Sequence, residues 1–276
     1  MKLPGYGIDT LDRTFGPVEA LRMGVRYFGK ASKFSVHTYF VDGLMIDTGM
    51  SRAQAEVLAW AQQRPISQIM LTHYHEDHSG NSAALQAAGY SVLAYPLTCD
   101  QVAKGVHTFP YQNLMFGPAA SANLTPIQGQ IETDRYTFEI LHTPGHSYDH
   151  VSLYERKEGW LFSGDLYIAD RIKFFKSGES VPQQLESLRK LVKLDFGPLF
   201  CAHNPQPENG KARLLAKIAF FEELTGQILD LHQQGLSVPE IQKSLRRTDK
   251  LWGLIFTSGD VSARNMVESV VKEVKT

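Results

Sequence analysis

Five short apolar runs recur along the chain, and each leads into a residue able to bind a metal. They are Leu44-Met45-Ile46 before Asp47, Gln68-Ile69-Met70-Leu71 before His73, Phe138-Glu139-Ile140-Leu141 leading to His146, Trp160-Leu161-Phe162 before Asp165, and Pro198-Leu199-Phe200-Cys201 before His203. Runs of this length, bounded by turn residues, predict buried strands. Amphipathic stretches over 52–63, 81–88 and 181–194 predict helices between them, with Gly and Pro marking the turns. Strands alternating with helices imply a layered α/β domain. In such folds rigid strand ends aim side chains from distant parts of the chain at one point, so five successive ends predict one convergence.

Residues 105–121 are rich in Pro, Gly and aromatics without periodicity, which predicts a long functional loop bordering the pocket. Beyond Asn204-Pro205 the pattern turns helical over 208–234, Ser237 and Glu240 have the spacing of a capping box opening a second helix, and 260–275 predicts a last one. The expected organisation is a main domain over 1–207 and a helical segment over 208–276, for which a winged-helix-like arrangement is one option. No internal repeat or GxGxxG phosphate loop is present.

Composition narrows the field. With 276 residues, 43% hydrophobic and 21% charged, the chain reads as an ordinary globular protein with enough apolar surface for a sizeable core. A net charge of -1 supplies no general attraction for nucleic acid. Cys99 and Cys201 lie far apart, which fits a reduced protein. Residues 1–12 lack an apolar stretch after a basic start, and no run approaches the roughly 18 apolar residues of a membrane span. The expectation is a cytoplasmic protein with a small-molecule substrate, no membrane partner, single-stranded RNA as the alternative ligand, and a homodimer as one possible assembly.

The densest chemistry is His73-Tyr74-His75-Glu76-Asp77-His78-Ser79-Gly80. In an extended segment residues two apart face the same way, so His73 and His75 can grip one cation. Asp77 and His78, at the turn into a helix, can face a second. Imidazole and carboxylate suit zinc, and catalytic zinc keeps three protein ligands and an open position. His146, on the turn of Leu141-His142-Thr143-Pro144-Gly145-His146, completes the first set. His203 completes the second. Asp165 closes an apolar strand, an awkward place for an unpaired charge, and its two oxygens can bridge cations about 3.5 to 4 Å apart. Two Zn2+ are the expected cofactors, with Fe or Mn as alternatives. Zinc lowers the pKa of bound water to about 7, so the nucleophile is expected to be hydroxide, with Asp77 relaying its proton and Asp165 bridging.

From about Met23 to His203 these motifs resemble the metallo-β-lactamase superfamily, in ligand type and in order. The resemblance implies a four-layer αβ/βα sandwich with two metals at one edge between two sheets. The segment Thr143-Pro144-Gly145-His146-Ser147-Tyr148-Asp149-His150 and the C-terminal helices resemble the lactamase-beta-2-like branch, some of whose members cleave single-stranded RNA; Ala202-His203-Asn204 departs from its usual Gly-His-Gly. The ligands are also similar to those of glyoxalase II, but the glycine-, cysteine- and arginine-bearing segment that follows its bridging aspartate is absent from 166–176. True β-lactamases carry cysteine where Asp165 stands, and flavodiiron proteins carry glutamate where His75 stands.

Around the ligands, Asp47 and His150 are expected to orient ligand histidines or substrate. Tyr148 and Tyr167 are candidate donors to a developing oxyanion. Arg171, Lys173 and Lys176 form a basic run that could hold an anionic substrate. His37, His107, His142 and His232 receive no role. The reading is a dinuclear zinc hydrolase of an ester, thioester or lactone. Its alternatives are a phosphodiesterase or endoribonuclease and, with one iron, a persulfide dioxygenase.

Overall fold

The computed structural model describes residues 6–273. The first sheet runs in chain order through β1 (Tyr6–Phe15), β2 (Val18–Tyr27), β3 (Lys30–Val41), β4 (Leu44–Ile46), β5 (Gln68–Leu71), β6 (Val92–Ala94) and β7 (Thr125–Pro126). It is antiparallel up to β4 and parallel from there. The second sheet has the order β13-β11-β10-β9-β8, from β8 (Gln130–Glu132), β9 (Thr137–His142), β10 (Val151–Glu155), β11 (Trp160–Gly164) and β13 (Leu199–Cys201). Two short strands, β12 (Phe175–Lys176) and β14 (Val261–Ser262), pair separately and tie the loop after Asp165 to the C-terminal region.

Helices α1 (Gln54–Gln62), α2 (Glu76–Ser79), α3 (Ser82–Ala87), α4 (Pro96–Lys104) and α5 (Pro110–Met115) punctuate the first half. The second half holds α6 (Val181–Leu191), α7 (Gly210–Gln233), α8 (Val238–Ser244), α9 (Leu251–Phe256) and α10 (Ala263–Glu273). Three apolar layers hold these elements. Met45, Ile69 and Leu71 pack with Val57, Trp60 and Leu85 on the helical face of the first sheet. Ile46, Met70, Phe138, Leu153, Phe162 and Phe200 fill the space between the sheets. Leu161, Cys201, Leu188, Phe221 and Met266 form the layer beyond the second sheet. Alternate residues of each central strand thus serve opposite faces, as a sheet buried on both sides requires. The architecture is an αβ/βα sandwich, and α7, α8 and α10 share one continuous core with the second sheet.

All five predicted strand ends are present. The region 105–121 differs from the expected loop: it contains α5, whose first turn is closed by Phe109 N–H donating to Gln112 Oε1 at 2.7 Å. Six residues are too few to show a 3.6-residue period, which is why the pattern is silent there. The expected capping box at Ser237 and Glu240 is formed at the start of α8. Residues 274 and 275 of the predicted last helix lie outside the described residues. Among the described residues no helix is long and apolar enough to cross a membrane.

Candidate metal centre

The C-terminal ends of β5, β9, β11 and β13 converge, and two donor sets result. His73 Nε2 and His75 Nδ1 stand 2.9 Å apart, and His75 Nδ1 is 2.9 Å from His146 Nε2. In the second set His78 Nε2 lies 3.3 Å from Asp165 Oδ1, and His203 Nε2 lies 3.1 Å from Asp165 Oδ2 and 3.4 Å from Asp77 Oδ2. His146 Nε2 is itself 3.5 Å from Asp165 Oδ2, so Asp165 stands between the two sets. Donors about 2.0 to 2.1 Å from a tetrahedral ion lie roughly 3.3 Å from one another, so both sets fit a divalent cation. A second observation agrees: His78 Nε2 and Asp165 Oδ1 are buried with no hydrogen-bond partner, an expensive arrangement that a cation between them relieves.

The outer hydrogen bonds fix the tautomers. His78 Nδ1 meets Asp47 Oδ2 at 2.8 Å, His146 Nδ1 meets Glu179 Oε1 at 2.9 Å, and His203 Nδ1 meets the Ser35 carbonyl at 2.8 Å. These partners only accept, so each Nδ1 carries the proton and each Nε2 lone pair faces inward. Thr72 Oγ1 donates to Asp47 Oδ2 at 2.8 Å and therefore accepts from His73 Nδ1 at 3.0 Å. His75 is reversed, with Nδ1 facing the set. Asp47 adopts a left-handed backbone conformation, φ 61°, held by the Thr72 N–H at 2.7 Å.

His150 is no donor to either set. Its Nε2 accepts the Asp165 N–H at 3.1 Å and its Nδ1–H donates to Thr143 Oγ1 at 2.9 Å, so it orients the backbone that presents Asp165. The residue before that backbone must be glycine: Gly164 has φ 48°, and a Cβ there would sit 2.5 Å from His150 Nε2. Asp149 accepts from the Tyr74 N–H and Thr98 Oγ1, joining the His73 loop to the second sheet.

Burial and neighbouring imidazoles push His73 well below the ordinary histidine range, and His75 likewise through burial and the Lys176 charge. Burial opposes the charged form of His203 too, but Asp165 and Asp77 outweigh it and raise the group to about 9. Asp165, despite burial, is held well below the usual carboxylate range by His203 and His78.

Several sequence expectations need correction. The Tyr167 hydroxyl donates to Asp170 at 2.7 Å and its ring is buried, so it is committed elsewhere. The three cations after Asp165 part company: Arg171 pairs with Glu223 at 3.6 Å, Lys173 is exposed, and Lys176 is partly buried among acids. Burial disfavours the Lys176 charge, but Glu76, Asp77, Asp260 and Glu179 outweigh it and raise its pKa. Tyr148 is half-exposed, its ring centroid 5.9 Å from that of Tyr74, and its hydroxyl donates to Gln101 at 2.9 Å.

Four participants go beyond the sequence expectations. Glu179 and Thr72 orient ligand imidazoles, as described. Glu76 is buried and accepts from Gln112 Nε2 at 2.7 Å, fastening α5 to the metal-binding loop. His37, assigned no role, donates through Nδ1 to the Ala202 carbonyl at 2.7 Å and so braces the turn carrying His203. Burial lowers the His37 pKa to about 4. The alternation of β3 alone could have marked His37 as inward-facing.

The sequence profile of the metallo-beta-lactamase superfamily matches residues 32–203, a span that holds both donor sets. The chain belongs to the metallo-beta-lactamase superfamily. Within it, the chain is 30% identical over 171 residues to a hydroxyacylglutathione hydrolase of Legionella pneumophila, a match spanning 60% of this chain and 59% of that protein. It is 26% identical over 237 residues to an atrochrysone carboxyl ACP thioesterase of Emericella nidulans, covering 82% of this chain and 68% of the relative. A metallo-beta-lactamase family protein of Thermus thermophilus shares the fold at a TM-score of 0.65 and 17% identity, over 99% of this chain and 94% of that one. That likeness includes the C-terminal helices.

Proposed function

We propose that the chain hydrolyses an acyl bond, with a thioester as the preferred class and esters or lactones as neighbours, at a centre holding two zinc ions. The observation that carries this reading is Asp165, whose two oxygens each lie within 3.3 Å of an imidazole nitrogen of the second set while one also faces His146 of the first. Ions held this way supply an activated water and polarise the scissile carbonyl. Asp165 holds the two positions in register. The Asp77 carboxylate, at the edge of the second set, takes the proton that the attacking water gives up. Gln112 and Glu76 keep α5 in place beside the His73 loop, and Tyr148 with Tyr74 presents an aromatic border for the acyl or leaving group.

The surroundings favour an acyl substrate over a polyanion. Glu76, Asp77, Asp149 and Glu179 gather near the centre, Lys176 stands among them, Lys217 is buried and donates to the Leu166 carbonyl, and Arg171 is taken by Glu223. A phosphodiester backbone finds no basic track there. The names of the Legionella and Emericella relatives support the same chemistry.

The test is a substrate panel with the zinc-loaded protein: S-lactoylglutathione, a lactone, bis-p-nitrophenyl phosphate and single-stranded RNA. Turnover of the thioester or lactone is expected. Hydrolysis of the phosphate esters alone sinks the proposal. Oxygen uptake with a persulfide, by a preparation holding one iron per chain, replaces it with dioxygenase chemistry.

A further inference from the structure

The metal centre leaves one surface unexplained. Helix α9 buries none of its side chains: Leu251 is 73% exposed, Trp252 68%, Ile255 70% and Phe256 44%. Residues four apart lie on one side of a helix, so Leu251 with Ile255 and Trp252 with Phe256 form two adjacent rows of one broad outward apolar face. A further exposed ring, Phe174 at 44%, lies two residues from Ile172, whose carbonyl accepts from Arg247 Nη1 at 3.1 Å and so ties that segment to the turn before α9. An apolar cluster this exposed marks a contact surface.

Four cations flank this face along the chain. Lys173, Lys243, Arg246 and Lys250 are exposed, and none forms an ion pair among the described residues. The carboxylates of the same region are engaged. Asp249 accepts from the Ala263 N–H at 2.6 Å and from Gln242 Nε2 at 3.0 Å, Asp260 accepts from the Tyr111 hydroxyl at 2.6 Å, and Glu268 pairs with Arg264 at 2.7 Å.

We propose that α9 and Phe174 seat the protein on the surface of an anionic lipid bilayer. A short helix with Trp, Leu, Ile and Phe on one side and Lys and Arg beside them fits the boundary between acyl chains and headgroups. Each cation held close to an anionic surface is worth about fivefold in affinity. A second copy of the chain fits less well. Five apolar side chains fall short of the roughly 20 to 30 residues a side that a specific protein interface engages, and a two-fold contact would set these flanking cations against those of the other copy. The sequence expectation of no membrane partner rested on the lack of a spanning segment, which says nothing of surface attachment. The surface also reaches the metal centre: the Phe256 ring lies 5.8 Å from Tyr111, whose neighbour Gln112 grips Glu76.

The protein carries its own reporter. Of its three tryptophans Trp60 and Trp160 are buried, so a change in emission on binding comes from Trp252. The intact protein is titrated with vesicles of phosphatidylcholine alone and of phosphatidylcholine mixed with phosphatidylglycerol. A blue shift and co-sedimentation with the anionic vesicles are expected, at least about tenfold tighter than with the neutral ones and weakened by salt. Leu251→Asp and Ile255→Asp, both at exposed positions, should each weaken vesicle binding by about tenfold or more while circular dichroism stays unchanged. Absence of any shift or co-sedimentation with the anionic vesicles overturns the proposal. So does equal binding to both vesicle types, and so does a blue shift without lipid that grows with protein concentration, which identifies a second copy as the occupant.

Discussion

The two donor sets lie side by side at the same strand ends but are not electrically alike. The first is three imidazoles, His73, His75 and His146, with burial holding His73 and His75 neutral. The second contains the Asp77 and Asp165 carboxylates, whose negative charge outweighs burial and raises the His203 pKa to about 9. His73, His75 and His146 would leave a dication's pull on a carbonyl oxygen undiminished, whereas the Asp77 carboxylate would partly neutralise one held beside it, which suits holding water and passing protons. Under the proposed hydrolysis, the difference would divide polarisation and proton handling between the two positions. Asp165 is the residue through which they meet.

The comparison breaks most completely at Asp165. Asp165→Ala removes the shared carboxylate, and turnover of whichever substrate the panel identifies should fall on the order of 10³-fold, with metal content dropping below two ions per chain by elemental analysis. A narrower cut is His203→Ala. It should leave about one ion per chain and lower kcat about a hundredfold, because the all-histidine set is untouched; unchanged stoichiometry would contradict the assignment of His203 to the second set. The outer hydrogen bonds sharpen the contrast further. Glu179→Gln loosens His146 and Asp47→Asn loosens His78, so each should weaken one position by about 10- to 100-fold in metal titrations and spare the other.

An effect on stability and not on turnover lies beneath the second set. His37 is buried and neutral, and its pKa falls from 6.5 to about 4. Between those values the unfolded chain binds a proton that the folded chain refuses. Stability is therefore complete above pH 6.5 and declines as pH falls toward 4, by up to about 3 kcal/mol. His37→Asn should flatten that acid limb in urea unfolding, at the cost of roughly 1 kcal/mol at neutral pH from a poorer bond to Ala202.

The metal-binding half of the fold is legible because strands buried on both faces are written as continuous apolar runs, and each here stops at a ligand. Strand β1 does not read as an element. β1 is largely exposed and mixes Asp, Thr and Arg with its apolar residues, so no run stands out. Glu179 could not be found either: it lies far from His146 in sequence and reaches it only because α6 follows directly and Gly145 packs against Gln184, where a Cβ would come within 2.3 Å of the backbone nitrogen. Tyr167 and Arg171 mislead for the opposite reason. Their distance along the chain from Asp165 is right, but side-chain direction is set by packing against α7, which local sequence does not record.

Each donor set draws on both sheets: His73, His75, Asp77 and His78 come from the end of β5, while His146, Asp165 and His203 come from β9, β11 and β13. Cations bound there would act as rivets across a seam that is also joined by contacts such as Val151 N–H to the Thr72 carbonyl at 2.8 Å. Ligand binding to the native state alone raises the melting point in step with free ion concentration. Metal starvation would therefore withdraw mechanical support as well as chemistry along the line where the two sheets join.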